Sequence, residues 1–263
     1  MEQIEAEEII LGEGVMIHES AKIRGLNGKA KRIKIGDHTF IGANVQIIVD
    51  DFSIGDYSKI QHNTNIHGYN PCHIGHNAWI GQYTIIDSIG GVTIGDNCGI
   101  GAHSQLWSHI KYGDTLEGCR FKSEKKLEVG NDVWFVGHCI VSPIKAHDKS
   151  MALAGSVVTN DMLENHIYGG SPAKDLTEKT GPQFINRTIE EKSTMLNQTL
   201  DSFSKLNHIT NSTIRIVSSK NEITDENLSY FVIQDRKYTK RLSNEEVLFM
   251  KYILPDLGKF TPY

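Results

Sequence analysis

Of the twelve histidines in the chain, His109 is the one best placed for proton transfer. It lies at the head of the polar stretch LWSHIKYGDTLEGCRFKSEKKLE (106–128), the largest break in an otherwise regular pattern. An imidazole ionises near neutrality, so it can take a proton from a hydroxyl and give it back within one turnover. Such a base needs a partner for its other ring nitrogen. Asp114 and Glu117 are the nearest carboxylates in the stretch and fall on the acceptor side of the site; a backbone carbonyl or a group from a neighbouring subunit would also serve. A second polar cluster, His62, Asn63, His67, Tyr69 and Asn70, suits recognition of hydroxyl groups. Cys72, Cys98, Cys119 and Cys139 are widely spaced without a CxxC pair, which argues against a disulfide or zinc framework.

The elements that must position these groups repeat every six residues. Ile35-Gly36, Ile41-Gly42 and Ile47 are followed by Ile54-Gly55, Ile60, Ile66, then Ile74-Gly75, Ile80-Gly81, Ile86, then Ile94-Gly95, Ile100-Gly101, Leu106. The frame resumes at Val129-Gly130, Phe135 and Val141. A period of six matches neither an amphipathic helix nor a half-buried strand. It matches a solenoid of very short strands with one apolar side chain per face turned inward, three hexads making a turn of about eighteen residues. The small or β-branched residues at the fifth position (Thr39, Val45, Ser58, Thr64, Ala78, Thr84, Cys98, Ser104, Val133) are expected to pack beside that column. Asp37, Asp56, Asp96 and Asn131 are expected at corners because such residues tolerate corner geometry.

A turn begun at Ile94 should restart near residue 112 but restarts at Val129, so residues 107–128 must leave the coil as an extruded loop. Loops carried on a rigid scaffold are a natural place for function. Ile17, Ile23 and Ile33 suggest one irregular turn before Ile35. Beyond a slip at Pro143, Ala152 and Val158 read as the last inward positions, in preference to His147. The hexads then end. Residues 184–206 show helical spacing, 213–218 and 230–240 read as strands, and 243–254 as a helix with a capping box of Ser243 and Glu246. The organisation expected is a solenoid over 1–178 and a small α+β extension over 179–263.

Net charge of −5 argues against a nucleic-acid partner, and no apolar run reaches the length of a membrane span. The acidic start, Met1 to Glu8, lacks the features of a signal peptide, which leads us to expect a cytoplasmic protein.

The hexads, the run VWFVGHCIVSP (133–143), the stretch LAGSVVT (153–159) and the exit motif Gly170-Ser171-Pro172-Ala173-Lys174 together resemble the hexapeptide-repeat acyltransferases. Within these, the chain is similar to the galactoside, maltose, capsule-sugar and xenobiotic O-acetyltransferases over residues 12–178. The resemblance implies a left-handed parallel β-helix, a homotrimer with sites between subunits, and acetyl-CoA as acyl donor without a metal. The acceptor it implies is a carbohydrate hydroxyl, on a small molecule or a polysaccharide, with an amino sugar or antibiotic as the alternative.

His109 matches the family's catalytic histidine, in the loop ahead of the strand that carries Trp134. Trp134 would donate its indole N–H to the oxyanion or stack on the acceptor, and His138 would face the acceptor from the same strand. Ser142, Ala154, Gly155 and Ser156 match positions along the pantetheine arm, and Lys174 is the candidate for the phosphates. The chain departs from the family at Asn160, where a lysine is frequent, and at Val136, where glycine is usual. Zinc-dependent carbonic anhydrases share the solenoid, and His62 and His67 have the spacing of a ligand pair. The third ligand would fall near Gly25, Leu26 and Asn27, which cannot supply it. A non-catalytic scaffold is a further alternative, against which the extruded loop and the CoA-like stretch both weigh.

Overall fold

In the computed structural model, residues 3–210 and 212–263 are described; Met1 and Glu2, at the head of the acidic start, lie outside the described residues. The chain divides into two compact units, Met1–Phe184 and Ile185–Tyr263.

The first unit is a left-handed parallel β-helix of triangular section. Face I is built from strands such as Ala30–Ile35, Asp51–Ile54, Cys72–Ile74, Val92–Ile94 and Leu127–Val129. Face II follows in each coil (Phe40–Ile41, Lys59–Ile60, Trp79–Ile80, Gly99–Ile100, Trp134–Phe135), and face III completes it (Gln46–Ile48, Asn65–His67, Ile85–Asp87, Gln105–Leu106, Ile140–Val141). Up to the exit hairpin the rungs within the three faces are parallel and in register, so Ile60, Ile80, Ile100 and Phe135 stack directly. These side chains are fully buried, and so are the fifth-position residues Thr39, Thr64, Thr84 and Val133. Burying an isoleucine contributes about 1.5–3 kcal/mol relative to leaving it exposed, which explains how strands of two or three residues hold together. The irregular first turn is present: strand Ile4–Leu11 runs alongside both Lys22–Arg24 and Ala30–Ile35, joining faces III and I.

The corner between faces I and II corrects one expectation. The residues with left-handed backbone there are His38, Tyr57, Asn77, Asn97, Asp132 and Lys149; His38, Tyr57, Asn97 and Asp132 each stand one position later than the Asp or Asn singled out above. The Asp and Asn side chains instead form a ladder between coils. The backbone N–H of Asp37 donates to Asp56 Oδ1 (2.9 Å), that of His76 to Asp96 Oδ1 (2.7 Å), and that of Asp96 to Asn131 Oδ1 (2.8 Å). His76 takes the same place with its Nδ1, which accepts from the Asp56 N–H at 3.0 Å. The glycine before each rung is required because the carboxylate or amide of the next coil occupies the space of its absent Cβ, as at Gly36, Gly75 and Gly95.

The solenoid also runs further than the hexads suggested. Ala152 and Val158 are inward, but so are Ala146 before them and Met162 and Tyr168 after them. The frame slip at Pro143 moves the inward position to Ala146, leaving His147 partly exposed.

The second unit packs helices Ile189–Leu206 and Asn244–Ile253 with a four-stranded sheet: Ile214–Val217, Ser229–Val232, Lys237–Tyr238 and Thr261–Pro262. The strand expected over 230–240 is two antiparallel strands separated by a turn. The capping box lies at the other helix, between Thr188 and Glu191. Ser243 does cap its helix, but the Glu246 carboxylate is fully buried and accepts from Ser229 Oγ (2.5 Å) and the N–H groups of Arg241 and Leu242. The geometry of a buried acceptor, which spacing alone does not show, takes precedence there. Among the described residues no helix is long and apolar enough to cross a membrane.

Candidate active site

The corner between faces III and I is where coils connect by the longest and least regular segments. Residues in successive coils stand above one another there: His67 is the register partner of Asp87, one coil below the turn that leads to Trp107 and His109. His109 is the first residue of a strand, His109–Lys111, which pairs antiparallel with Lys122–Glu124. The segment expected as an extruded loop is thus a β-hairpin arm with its tip near residues 113–118.

His109 Nδ1 lies 2.6 Å from Asp87 Oδ2. Asp87 is fully buried, while the His109 side chain is 20% exposed, so the charge is enclosed and the imidazole edge open. The same Oδ2 accepts from the Ser108 backbone N–H (3.0 Å) and the Ser108 hydroxyl (3.1 Å), and Oδ1 accepts from the Ile89 N–H (3.2 Å). Four hydrogen-bond contacts thus converge on one buried carboxylate. With Nδ1 taken by the carboxylate, the other ring nitrogen of His109, Nε2, is the one left for a second partner. Trp107 stands edge-on to the imidazole, ring centroids 6.2 Å apart, limiting its rotation.

Asp87 replaces the two carboxylates expected as the partner. Asp114 and Glu117 are exposed at the arm tip, where Asp114 Oδ1 accepts from the N–H groups of Leu116 and Glu117 and serves the turn. The signal that would have found Asp87 is the coil length: twenty residues before Trp107 sits the position directly beneath it.

The other expected residues distribute over two corners, face II and the exit hairpin. His67 and Tyr69 share the corner with His109; His67 Nδ1 contacts Asn65 Oδ1 at 3.1 Å and Tyr69 is 66% exposed. Ser142 follows strand Ile140–Val141 on the coil above, so it too lies at this corner, directly above Trp107. His138, Ala154 and Gly155 occupy the corner between faces II and III, at the far edge of face III. There His138 stacks on His103 at 4.8 Å, which stacks on Tyr83, so its ring belongs to an aromatic column away from His109. Ser156 is fully buried with its hydroxyl donated to the Leu153 carbonyl at 2.5 Å, so it is structural and cannot line a cofactor groove.

Trp134 lies on face II, its indole laid across Gly99, where an added Cβ would come within 3.0 Å of Cδ1. Face II is opposite the corner that carries His109. Within one chain, Trp134 and His109 therefore stand on opposite sides of the solenoid.

A second His–Asp contact of 2.6 Å, His166 Nδ1 to Asp175 Oδ2, sits at the exit hairpin beside exposed Lys174. Hydrogen bonding from Thr177, joined by His166, brings the Asp175 carboxyl down to about 2. Both partners are more than a third exposed, unlike the enclosed Asp87. Of the cysteines, Cys72, Cys98 and Cys139 are buried, and burial pushes the Cys72 thiol up to about 12, which makes it inert as a nucleophile.

Residues 32–66 and 71–104 match the family described as the hexapeptide repeat of succinyl-transferase. Those two stretches are what the chain shares with that family. The chain is 38% identical over 110 residues to the galactoside O-acetyltransferase of Escherichia coli K12, a span of 40% of this chain and 53% of that one. It is 32% identical over 71 residues to the chloramphenicol acetyltransferase of Morganella morganii, covering 27% and 34% respectively. The matches thus span about half and about a third of those relatives' lengths. Among solved structures it overlaps AntD, an N-acyltransferase from Bacillus cereus in complex with dTDP and coenzyme A. That overlap has a TM-score of 0.48 and 18% identity, over 64% of this chain and 91% of that one. It also overlaps a maltose O-acetyltransferase from Clostridium difficile 630, TM-score 0.33 and 21% identity, over 56% and 66%.

Proposed function

We propose that the solenoid unit is an acetyl-CoA-dependent O-acetyltransferase acting on a carbohydrate hydroxyl in the cytoplasm, in the setting of surface-polysaccharide modification. The observation that carries this reading is the contact between buried Asp87 and partly exposed His109, at the base of an arm leaving a rigid corner. The partial relatives named as acetyltransferases of galactosides and of chloramphenicol support it.

In this mechanism the acceptor hydroxyl donates its hydrogen bond to His109 Nε2. As its oxygen bonds to the thioester carbonyl carbon, the proton passes to Nε2, and the imidazolium is held by Asp87. The tetrahedral intermediate collapses with cleavage of the carbon–sulfur bond, and the proton moves from Nε2 to the departing thiolate. The products are the acetyl ester and CoA thiol, and no acyl-enzyme forms. Holding both substrates in one geometry supplies much of the rate.

The donor's place in this reading is the groove along face III, between the corner of Ser142 and that of Ala154 and Gly155, with Lys174 toward the phosphates. We further propose a homotrimer, because it answers the separation of Trp134 from His109: a neighbouring copy can bring its face II to this corner. The arm supports this, since Ile110, Tyr112, Leu116 and Phe121 are all exposed on it.

The test combines thermal shift with acetyl-CoA and thiol release across neutral sugars, amino sugars and chloramphenicol. The expected result is a raised melting midpoint, hydroxyl-dependent thiol release, and loss of turnover by about 10²–10⁴-fold in His109→Ala with the acetyl-CoA shift retained. Near-normal turnover in that variant removes His109 from the mechanism. Turnover confined to amines replaces ester formation with amide formation.

A further inference from the structure

The arm that begins at His109 has two chemically different faces. Successive residues of a strand point to opposite sides, and directly opposed residues of an antiparallel pair share a side. The register is His109 with Glu124, Ile110 with Ser123 and Lys111 with Lys122. His109, Lys111, Lys122 and Glu124 therefore lie on one side, and Ile110 and Ser123 on the other. The contact of 3.4 Å between Lys111 Nζ and Glu124 Oε2, which links diagonal neighbours, agrees with that assignment.

Two lysines set directly opposite one another repel, an arrangement that costs stability unless something neutralises it. Glu124 offsets Lys111. Among the described residues no carboxylate forms an ion pair with Lys122. The side of the arm that carries the base thus keeps one cation in excess, two strand residues, or about 7 Å, from His109.

We propose that the acceptor is anionic: Lys111 and Lys122 bind a carboxylate or phosphate of an acidic saccharide, about 7 Å from the hydroxyl taken by His109. This rests on the reading of His109 as the base for acetyl transfer. The donor's phosphates do not fit the position. The pantetheine arm is comparable in length to about four to five residues of extended chain, so it carries the phosphates about 15 Å from the thioester. An anion at Lys111 and Lys122 belongs to the molecule whose reacting atom meets His109.

The test measures kcat/KM by thiol release for acceptor pairs that differ in the anion. They are methyl β-glucuronide against methyl β-glucoside, methyl α-galacturonide against methyl α-galactoside, and glucose 6-phosphate against glucose. The expected result is a preference of about tenfold for the acidic member of at least one pair, falling as salt is raised. Preference for the uronides assigns the carboxylate, and preference for the sugar phosphate assigns the phosphate. In Lys111→Ala/Lys122→Ala the acidic-to-neutral ratio should fall to near one, and in Lys122→Glu it should invert. Equal kcat/KM within every pair overturns the proposal while leaving the transferase reading intact. Absence of thiol release with all acceptors, together with no acetyl-CoA thermal shift, overturns both.

Discussion

Replacing Asp87 with asparagine isolates the charge of the buried partner from its shape. Asp87 Oδ2 takes three donors, from His109 Nδ1 at 2.6 Å and from Ser108 N and Oγ at 3.0 and 3.1 Å, while Oδ1 takes only the Ile89 N–H at 3.2 Å. An asparagine fits best with its carbonyl oxygen in the Oδ2 place, because an NH2 there would confront three donors. Its NH2 then faces the Ile89 N–H, and one buried hydrogen bond is lost, a cost of about 1–3 kcal/mol. Alanine would leave all four donors without their acceptor, roughly 4–12 kcal/mol by the same measure, which makes it a poor probe. With the fold kept, Asp87→Asn keeps an acceptor at His109 Nδ1 but removes the negative charge that would hold the imidazolium in the proposed reaction. A general base of this kind contributes about 10²–10⁴-fold, and loss of its carboxylate is expected to forfeit a large part of that, about 10²-fold or more in kcat. The assay is thiol release from acetyl-CoA under saturating acceptor, with thermal denaturation and the acetyl-CoA shift as controls. A folded Asp87→Asn protein within about threefold of wild-type kcat would refute the assignment of Asp87 as the positioning residue.

Two other perturbations test the scaffold. An added Cβ at Gly101 would overlap the Val136 carbonyl of the next coil, whereas Gly155, at φ +74, has open space around it. Gly101→Ala should lose more than about 3 kcal/mol in denaturant unfolding, and Gly155→Ala only about 1 kcal/mol from backbone strain, so equal losses would contradict the close-approach argument. At the ladder, Asp96→Ala leaves the His76 N–H without its acceptor and should cost about 1–3 kcal/mol. Asp96→Asn should restore most of that loss, because Asn131 already fills the equivalent rung.

Much of the solenoid was legible because each hexad repeats one environment, so the inward column from Ile35 to Val141 needed only counting. What the repeat did not reveal were contacts between coils. Asp37, Asp56, Asp96 and Asn131 read as corner residues, yet they act vertically, accepting N–H groups from the coil beneath. The continuation through Met162 and Tyr168 was hidden because the slip at Pro143 disturbs the frame. In the second unit the helical spacing over residues 184–206 included Ile185, Met195 and Leu206, all exposed, while only Leu196 and Phe203 of that helix are buried. A short amphipathic pattern fixes the element more firmly than the face it buries.

The candidate site was partly legible for a related reason. His109 stands out by its place at the break in the period, but a carboxylate beside it was sought nearby in sequence, at Asp114 and Glu117. A solenoid makes neighbours of residues one coil apart, at the strand spacing of about 4.8 Å, however many residues lie between them. Asp87, twenty-two residues before His109, is such a neighbour. The hexad phase carries further information of the same kind. It sets Trp134 on face II, His138 on the corner between faces II and III, and His109 on the corner opposite face II. Residues that look adjacent in the run from 133 to 143 therefore point to different sides of the prism. A site that needs both Trp134 and His109 must draw them from different chains, whereas one built from His109, Asp87, His67 and Tyr69 is complete along a single edge.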